Sequence, residues 1–149
     1  MKYDPNNGNA KLVESAAMLG QKKFEDSRRK LDAMLQASPA STEVMYQIGL
    51  LDLAEKKYKD AEDSFRHAYQ LNPTNTRGLM GLIETYMAQN KTDQAVQVLQ
   101  AESAKAPLRM DFHIALGNVA ARTGRYDTAI GEFKKVLAVT AKDSREQGR

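Results

Sequence analysis

The side chains that could do chemistry are few. The chain has 149 residues, two histidines and no cysteine. Without cysteine there is no thiolate nucleophile, no disulfide and no thiolate metal site. His67 and His113 are far apart, and neither has a second histidine and a carboxylate at metal-ligand spacing. The nine glycines are scattered and build no GxxxxGK phosphate loop. His113 falls on the packing side of a helical pattern, where a satisfied core histidine is the expected reading rather than a ligand or base. Asp52 also falls on a packing face, and a local ion pair with Lys56 at i+4 or a neighbouring lysine is expected for it. No enzyme, cofactor or metal site is expected. Basic clusters occur at Lys22-Lys23, Arg28-Arg29-Lys30, Lys56-Lys57 with Lys59, and Lys134-Lys135. The net charge is only +3, there is no tryptophan, and the tyrosines mostly sit at packing places. The clusters therefore read as a solvated outer face rather than a nucleic-acid footprint.

The elements that hold these residues follow from the prolines. The four prolines are Pro5, Pro39, Pro73 and Pro107, each 34 residues after the one before. A fixed period of this length marks a repeat architecture. Cutting two places after each proline gives repeats 8–41, 42–75, 76–109 and 110–143, with no gap. Residues 1–7 read as the remnant of a preceding repeat and its handover. Residues 144–149 read as the start of a following helix or a tail. Several places agree between repeats: Ser27, Ala61, Ala95 and Ala129 at the twentieth, and Leu31, Phe65, Leu99 and Phe133 at the twenty-fourth.

Within each repeat, apolar residues recur at steps of three and four, the helical period. In the second repeat Met45, Ile48, Gly49 and Asp52 share one face of a first helix. Tyr58, Ala61, Phe65 and Ala68 share one face of a second, with Glu55-Lys56-Lys57 between them. Small residues at the eighth and twentieth places let two antiparallel helices approach, and the large residue at the twenty-fourth fills the space beside them. Proline ends the repeat because it lacks a donor and pushes the preceding residue out of the α region. The Thr, Asn or Ser that follows can cap the next helix. The last helix is expected from about Tyr126 to Val139.

The repeat length and the Gly, Ala, aromatic, Ala and Pro places resemble the tetratricopeptide repeat, best in Met45, Ile48, Gly49, Tyr58, Ala61, Phe65, Ala68 and Pro73. The resemblance implies an all-α fold, a right-handed α-solenoid of four stacked helix-turn-helix repeats. Asp52, Glu102 and Ile83 depart from the pattern, as do Lys11 and Ser15 in the first repeat. Only six residues follow the fourth repeat, and Ile130, Val136 and Leu137 keep its last helix apolar. The chain is accordingly expected to be a piece of a longer protein, the alternative being a complete small protein whose ends fray. No apolar run approaches the ~20 residues of a membrane span. The absence of cysteine, together with frequent Ala and Gln and short linkers, suits a bacterial cytoplasm or periplasm.

The resemblance also implies a concave groove lined by the first helix of each repeat. Its places hold Leu12, Ala16 and Leu19 in the first repeat, and Glu43, Tyr46, Leu50 and Leu53 in the second. They hold Arg77, Met80, Glu84 and Met87 in the third, and Asp111, Ile114, Asn118 and Arg122 in the fourth. The stripe is apolar through the first three repeats and polar toward the fourth. Such a groove implies a protein-interaction scaffold that takes a peptide or helix of a partner, with Met80 and Met87 as adaptable contacts. One subset of the family grips chaperone carboxy-terminal carboxylates with a basic and amide clamp. The corresponding places here hold Leu12, Ala16, Gln47, Gly81 and Ala115, so no such clamp is expected. Two other readings remain at this point. One is a self-assembling array through apolar chain ends such as Ile130 and Leu137. The other is a nucleic-acid binder through the basic clusters.

Overall fold

A computed structural model describes residues 8–21 and 23–148, without the side chains of Asn9, Ala10, Ala16 and Leu19. The expected remnant at 1–7 lies outside the described residues. Eight helices and no strand appear among the described residues: α1 Gly8–Gly20, α2 Phe24–Ala37, α3 Thr42–Ala54, α4 Tyr58–Leu71, α5 Arg77–Ala88, α6 Thr92–Lys105, α7 Met110–Arg122 and α8 Tyr126–Gln147. The chain divides into two compact units, Met1–Thr85 and Tyr86–Arg149.

Two kinds of turn alternate, and each recurs with the repeat. The turn inside a repeat contains one left-handed residue: Lys56 at φ 61°, Asn90 at φ 59° and Gly124 at φ 76°. The next amide then reaches back five residues. Lys57 N donates to Asp52 O at 2.8 Å, Lys91 N to Tyr86 O at 2.9 Å and Arg125 N to Ala120 O at 2.8 Å. These bonds satisfy carbonyls that a helix end would leave orphaned. The handover between repeats is a tight turn with proline at its second position. Ser41 N donates to Ser38 O, and Asn75 N to Asn72 O, at 3.1 Å, and Arg109 N to Ala106 O at 3.0 Å. Proline's fixed φ suits that position. The last residue of each of the first two handovers helps start the next helix. Ser41 caps α3, its Oγ accepting from Val44 N at 3.3 Å, and Asn75 Oδ1 accepts from Arg77 N, the first residue of α5, at 3.0 Å.

In the first unit, Leu31, Val44, Ile48 and Leu51 form a buried cluster, with Leu12, Phe24, Met34 and Leu35 packed against it. Phe65 is fully buried between two glycines. A Cβ on Gly49 would meet its ring at 2.7 Å, and one on Gly81 at 2.4 Å. Gly78 lets α5 approach the backbone of α4, because a Cβ there would meet Phe65 O and Tyr69 N at 2.8 Å. In the second unit the same pairing recurs: a Cβ on Gly117 would meet the Phe133 ring at 2.5 Å.

Two expectations are corrected here. The last helix does not stop near Val139, and no separate helix begins at Ser144, because α8 is continuous to Gln147. The reason is Ala141, which stands where the period would put a fifth proline. Nothing at that place removes a donor or clashes with the preceding turn. The second correction is Asp52. Its partner is Arg28, at 2.6 Å from Oδ1, and not Lys56. Lys56 is the left-handed turn residue, outside the regular i,i+4 geometry that a helical pair needs.

Candidate functional site

The first helices sort their residues into a buried face and an accessible stripe. On α3, Val44, Met45, Gln47, Ile48, Gly49, Leu51 and Asp52 are buried, while Glu43, Tyr46, Leu50 and Leu53 are half-buried. On α5, Gly78, Leu79, Gly81, Leu82, Ile83 and Thr85 are buried, Met80 is half-buried, and Arg77 and Glu84 are exposed. In the first unit the stripe therefore comprises Leu12 of α1 and these residues of α3 and α5. Ala16 and Leu19 belong to α1, but their side chains lie outside the described residues. In the second unit, Met87 and Asp111 are half-buried, and Ile114, Asn118 and Arg122 are exposed. Buried Phe112, His113, Leu116, Val119 and Ala120 form the opposite face of α7.

The stripe has a fixed polar element that the sequence does not announce. Arg77 Nη1 donates to Glu43 Oε1 at 2.7 Å, and its guanidinium lies 4.3 Å from the centroid of the Tyr46 ring. The Tyr46 ring in turn tilts against Phe65 at 5.6 Å between centroids. Glu43 and Arg77 are both second-place residues of successive repeats. Opposite charges one period apart are the signal in the sequence that points to this pair. A cation over an aromatic face adds attraction to the ion pair.

A hydroxyl, an imidazole and a carboxylate meet in the second unit, yet they do not form a nucleophile and base. His113 Nδ1 lies 2.6 Å from Glu132 Oε2. Its Nε2 lies 3.0 Å from Pro107 O, and a carbonyl can only accept, so Nε2 donates there. Both ring nitrogens are engaged, and Ser103 Oγ is 3.4 Å from each. Nothing is left to take a proton from Ser103. Burial pushes the Glu132 carboxyl up, but hydrogen bonds from Lys135 and His113 more than offset it and hold the group below its usual range. The cluster clasps the handover at Pro107 to α8, which makes His113 the satisfied core histidine expected from the sequence. No sequence motif marks Ser103 or Glu132. The one signal for Ser103 is a polar residue at a place that holds Leu35, Tyr69 and Leu137 elsewhere.

The basic clusters are mostly spent on neighbouring acids. Arg28 pairs with Asp52 and Glu55, Arg29 with Asp26, Lys30 with Glu14, Lys57 with Glu55, Lys59 with Asp63 and Lys135 with Glu132. Among the described residues, no group of three or more His, Asp or Glu side chains is arranged to hold a metal ion. No described helix is long and apolar enough to cross a membrane.

Antiparallel helices joined by a left-handed turn and handed on by a proline turn, at one fixed period, define an all-α protein of the α-solenoid class. The chain belongs to the tetratricopeptide repeat family: models described as tetratricopeptide repeat match residues 17–76, 52–109 and 113–147. The family's general role is that of a scaffold for protein interaction. No curated protein sequence matches the chain. Among solved structures, it resembles the crystal structure of MamA at 21% identity, covering 95% of this chain and 83% of that one, with a TM-score of 0.65. MamA from Desulfovibrio magneticus RS-1 is similar at 20% identity, covering 93% of this chain and 78% of that one, with a TM-score of 0.63. The O-GlcNAc transferase of Thermobaculum terrenum is similar at 20% identity and a TM-score of 0.59, over 75% of this chain and 22% of that one. At these identities the likeness is one of fold.

Proposed function

We propose that the chain is an interaction module that holds a helix or extended segment of a partner protein against its first-helix stripe. The observation that carries this reading is the contrast on α3 and α5. Tyr46, Leu50, Leu53 and Met80 are apolar and partly accessible beside neighbours that are buried. Accessible apolar side chains at helical spacing, bordered by Glu43, Arg77 and Glu84, suit a partner with an apolar stripe and a polar edge. Met80 adds a side chain that adapts to irregular contacts. In the second unit, Asp111, Asn118 and Arg122 suit polar groups of a partner, and Met87 and Ile114 suit apolar ones. Leu12, Gln47, Gly81 and Ala115 occupy the clamp places, so a chaperone carboxylate tail is not the ligand. The test is recovery of partner from a source lysate by wild type and by a Leu50→Glu/Met80→Glu variant, both checked for helicity. The reading expects a partner held by wild type and lost by the variant; equal recovery contradicts it.

A second reading, self-association, is favoured by α8. Tyr126 is 66% exposed, Ile130 51% and Leu137 66%. At the place of Leu137, Leu35 packs into the core of the first unit and Ser103 is buried. Light scattering across a range of concentrations tests it. Growth of mass that Ile130→Lys/Leu137→Lys abolishes supports self-association, and a constant monomer mass removes it.

A further inference from the structure

The first unit contains a cavity of about 630 Å³ between α1, the end of α2 and the start of α3. Its volume is in the range of ligand pockets, ~300–1,000 Å³. Leu12, Met34 and Val44 give it apolar walls, with Lys11, Ser38 and Glu43 also lining it. The repeat supplies an internal comparison. Moving Gly8, Leu12, Met34, Ser41, Glu43 and Val44 forward by one period gives Thr42, Tyr46, Ala68, Asn75, Arg77 and Gly78. Those residues line a recess of only about 10 Å³.

The two sites occupy equivalent places, and the second is nearly closed. The Tyr46 ring forms part of its wall, with Arg77 stacked on that ring and paired to Glu43. Gly78 also lets α5 close onto α4. At the first site Leu12 replaces the tyrosine, Glu43 replaces the arginine, and Val44, buried against Leu31, replaces the glycine. The nearly closed copy thus has an aromatic ring in its wall, and the open copy has the smaller Leu12 there.

The charges at the rim select a companion for that ring. Glu14 is paired with Lys30, and Glu43 with Arg77. Lys11 has no such partner among the described residues, although it lines the cavity. It stands at a place where α3 has Met45 and α5 has Leu79, both buried. Among the described residues, Lys11 is thus the rim charge without an ion-pair partner, beside a cavity with partly apolar walls.

We propose that this cavity is an anchor pocket for an aromatic side chain of a partner peptide, flanked by an acidic residue that meets Lys11. The proposal rests on the peptide-binding reading above and names the feature of the partner that would fix its register. Leu12 and Glu43 belong to both the stripe and the cavity wall, so a peptide lying along the stripe reaches the pocket without leaving it.

The test uses the full chain and three capped Gly/Ser peptides. One carries Phe between two Asp, one carries Phe between two Lys, and one carries Ala between two Asp. The first peptide should move the resonances of Leu12, Met34 and Val44 and bind at least about tenfold tighter than the other two. Leu12→Tyr copies the nearly closed site and should weaken that peptide about tenfold or more. Ala37→Leu, which copies Leu71 at an exposed place on the cavity wall, serves the same purpose if Leu12→Tyr does not fold. Lys11→Gln should remove the preference for Asp over Lys flanks. Absence of these shifts, or equal binding by the filled variants, overturns the pocket. The Leu50→Glu/Met80→Glu variant separates the two ideas. If it loses the natural partner while Leu12→Tyr retains it, the stripe stands and the pocket falls. If it keeps both the partner and the Phe peptide, the stripe falls.

Discussion

Arg28 and Asp52, 24 residues apart in the chain, are joined at 2.6 Å between α2 and α3. The Asp52 side chain is 3% exposed. Burial pushes its carboxyl up, by more than the hydrogen bond and charge of Arg28 pull it down. Ser64 Oγ donates to its other oxygen at 3.5 Å.

Arg28→Met would leave this carboxylate buried with little compensation. The expected loss at pH 7 is about 1–3 kcal/mol, read by urea unfolding. A carboxyl whose folded pKa is raised contributes stability that is present below its ordinary value of about 3.9 and is lost as pH rises through the raised value. The penalty of Arg28→Met should therefore shrink in acid. Asp52→Asn in the same background should recover part of it at pH 7. An unchanged penalty from pH 7 to 4 would contradict the assignment.

Glu132 behaves in the opposite sense. Lys135 Nζ lies 2.8 Å from Oε1 and His113 Nδ1 lies 2.6 Å from Oε2, and the group is held below its usual range. A lowered carboxyl contributes stability that is present above its ordinary value of about 4.3 and lost as pH falls through the folded value. Wild type should lose melting temperature steeply from about pH 4 downward. Glu132→Gln should start lower at pH 7 and show a shallower acid slope. Parallel slopes in the two proteins would refute the clasp.

Phe65 makes a size-coupled trio with Gly49 and Gly81. Gly81→Ala should destabilise the fold by about 1–3 kcal/mol through overpacking. Phe65→Leu copies the residue at this place in the first and third repeats and should relieve most of that loss in the double variant. Gly78→Ala should not be rescued in this way, because its Cβ meets backbone atoms rather than the ring. Additive losses for Gly81→Ala and Phe65→Leu would show that the ring is not what the glycine accommodates.

Lys56 is a β-carbon residue in a left-handed turn that Gly124 occupies without strain. Lys56→Gly should raise stability by about 0.5–1 kcal/mol, the left-handed cost less the added chain entropy. Asn90→Gly should gain less, since asparagine tolerates that conformation better. Chemical denaturation of both variants checks the order.

The architecture was legible because it rests on local rules. Proline position, small-residue places and a three- and four-residue apolar step each act within one repeat, so one sequence repeats its own test. Contacts between repeats were harder to read. Arg28 reaches Asp52 across a handover, and periodicity alone says which face Asp52 occupies but not which cation arrives there. The length of α8 does not follow from the period, because the residue that enforces stops, proline, is replaced there by Ala141. The stripe residues come from the resemblance to the tetratricopeptide repeat, with helical spacing only agreeing with it. The emptiness of the cavity is not legible in the sequence, because it depends on how side chains from three helices pack around it.

The central claim is that the accessible first-helix stripe contacts a partner. The most direct measurement places a photo-activatable phenylalanine analogue singly at Leu50, at Met80 and, as a control, at exposed His67 on α4, and cross-links each in source lysate. The account predicts one common protein adduct from Leu50 and Met80 and none from His67. A common adduct from His67 with none from the stripe positions would contradict it.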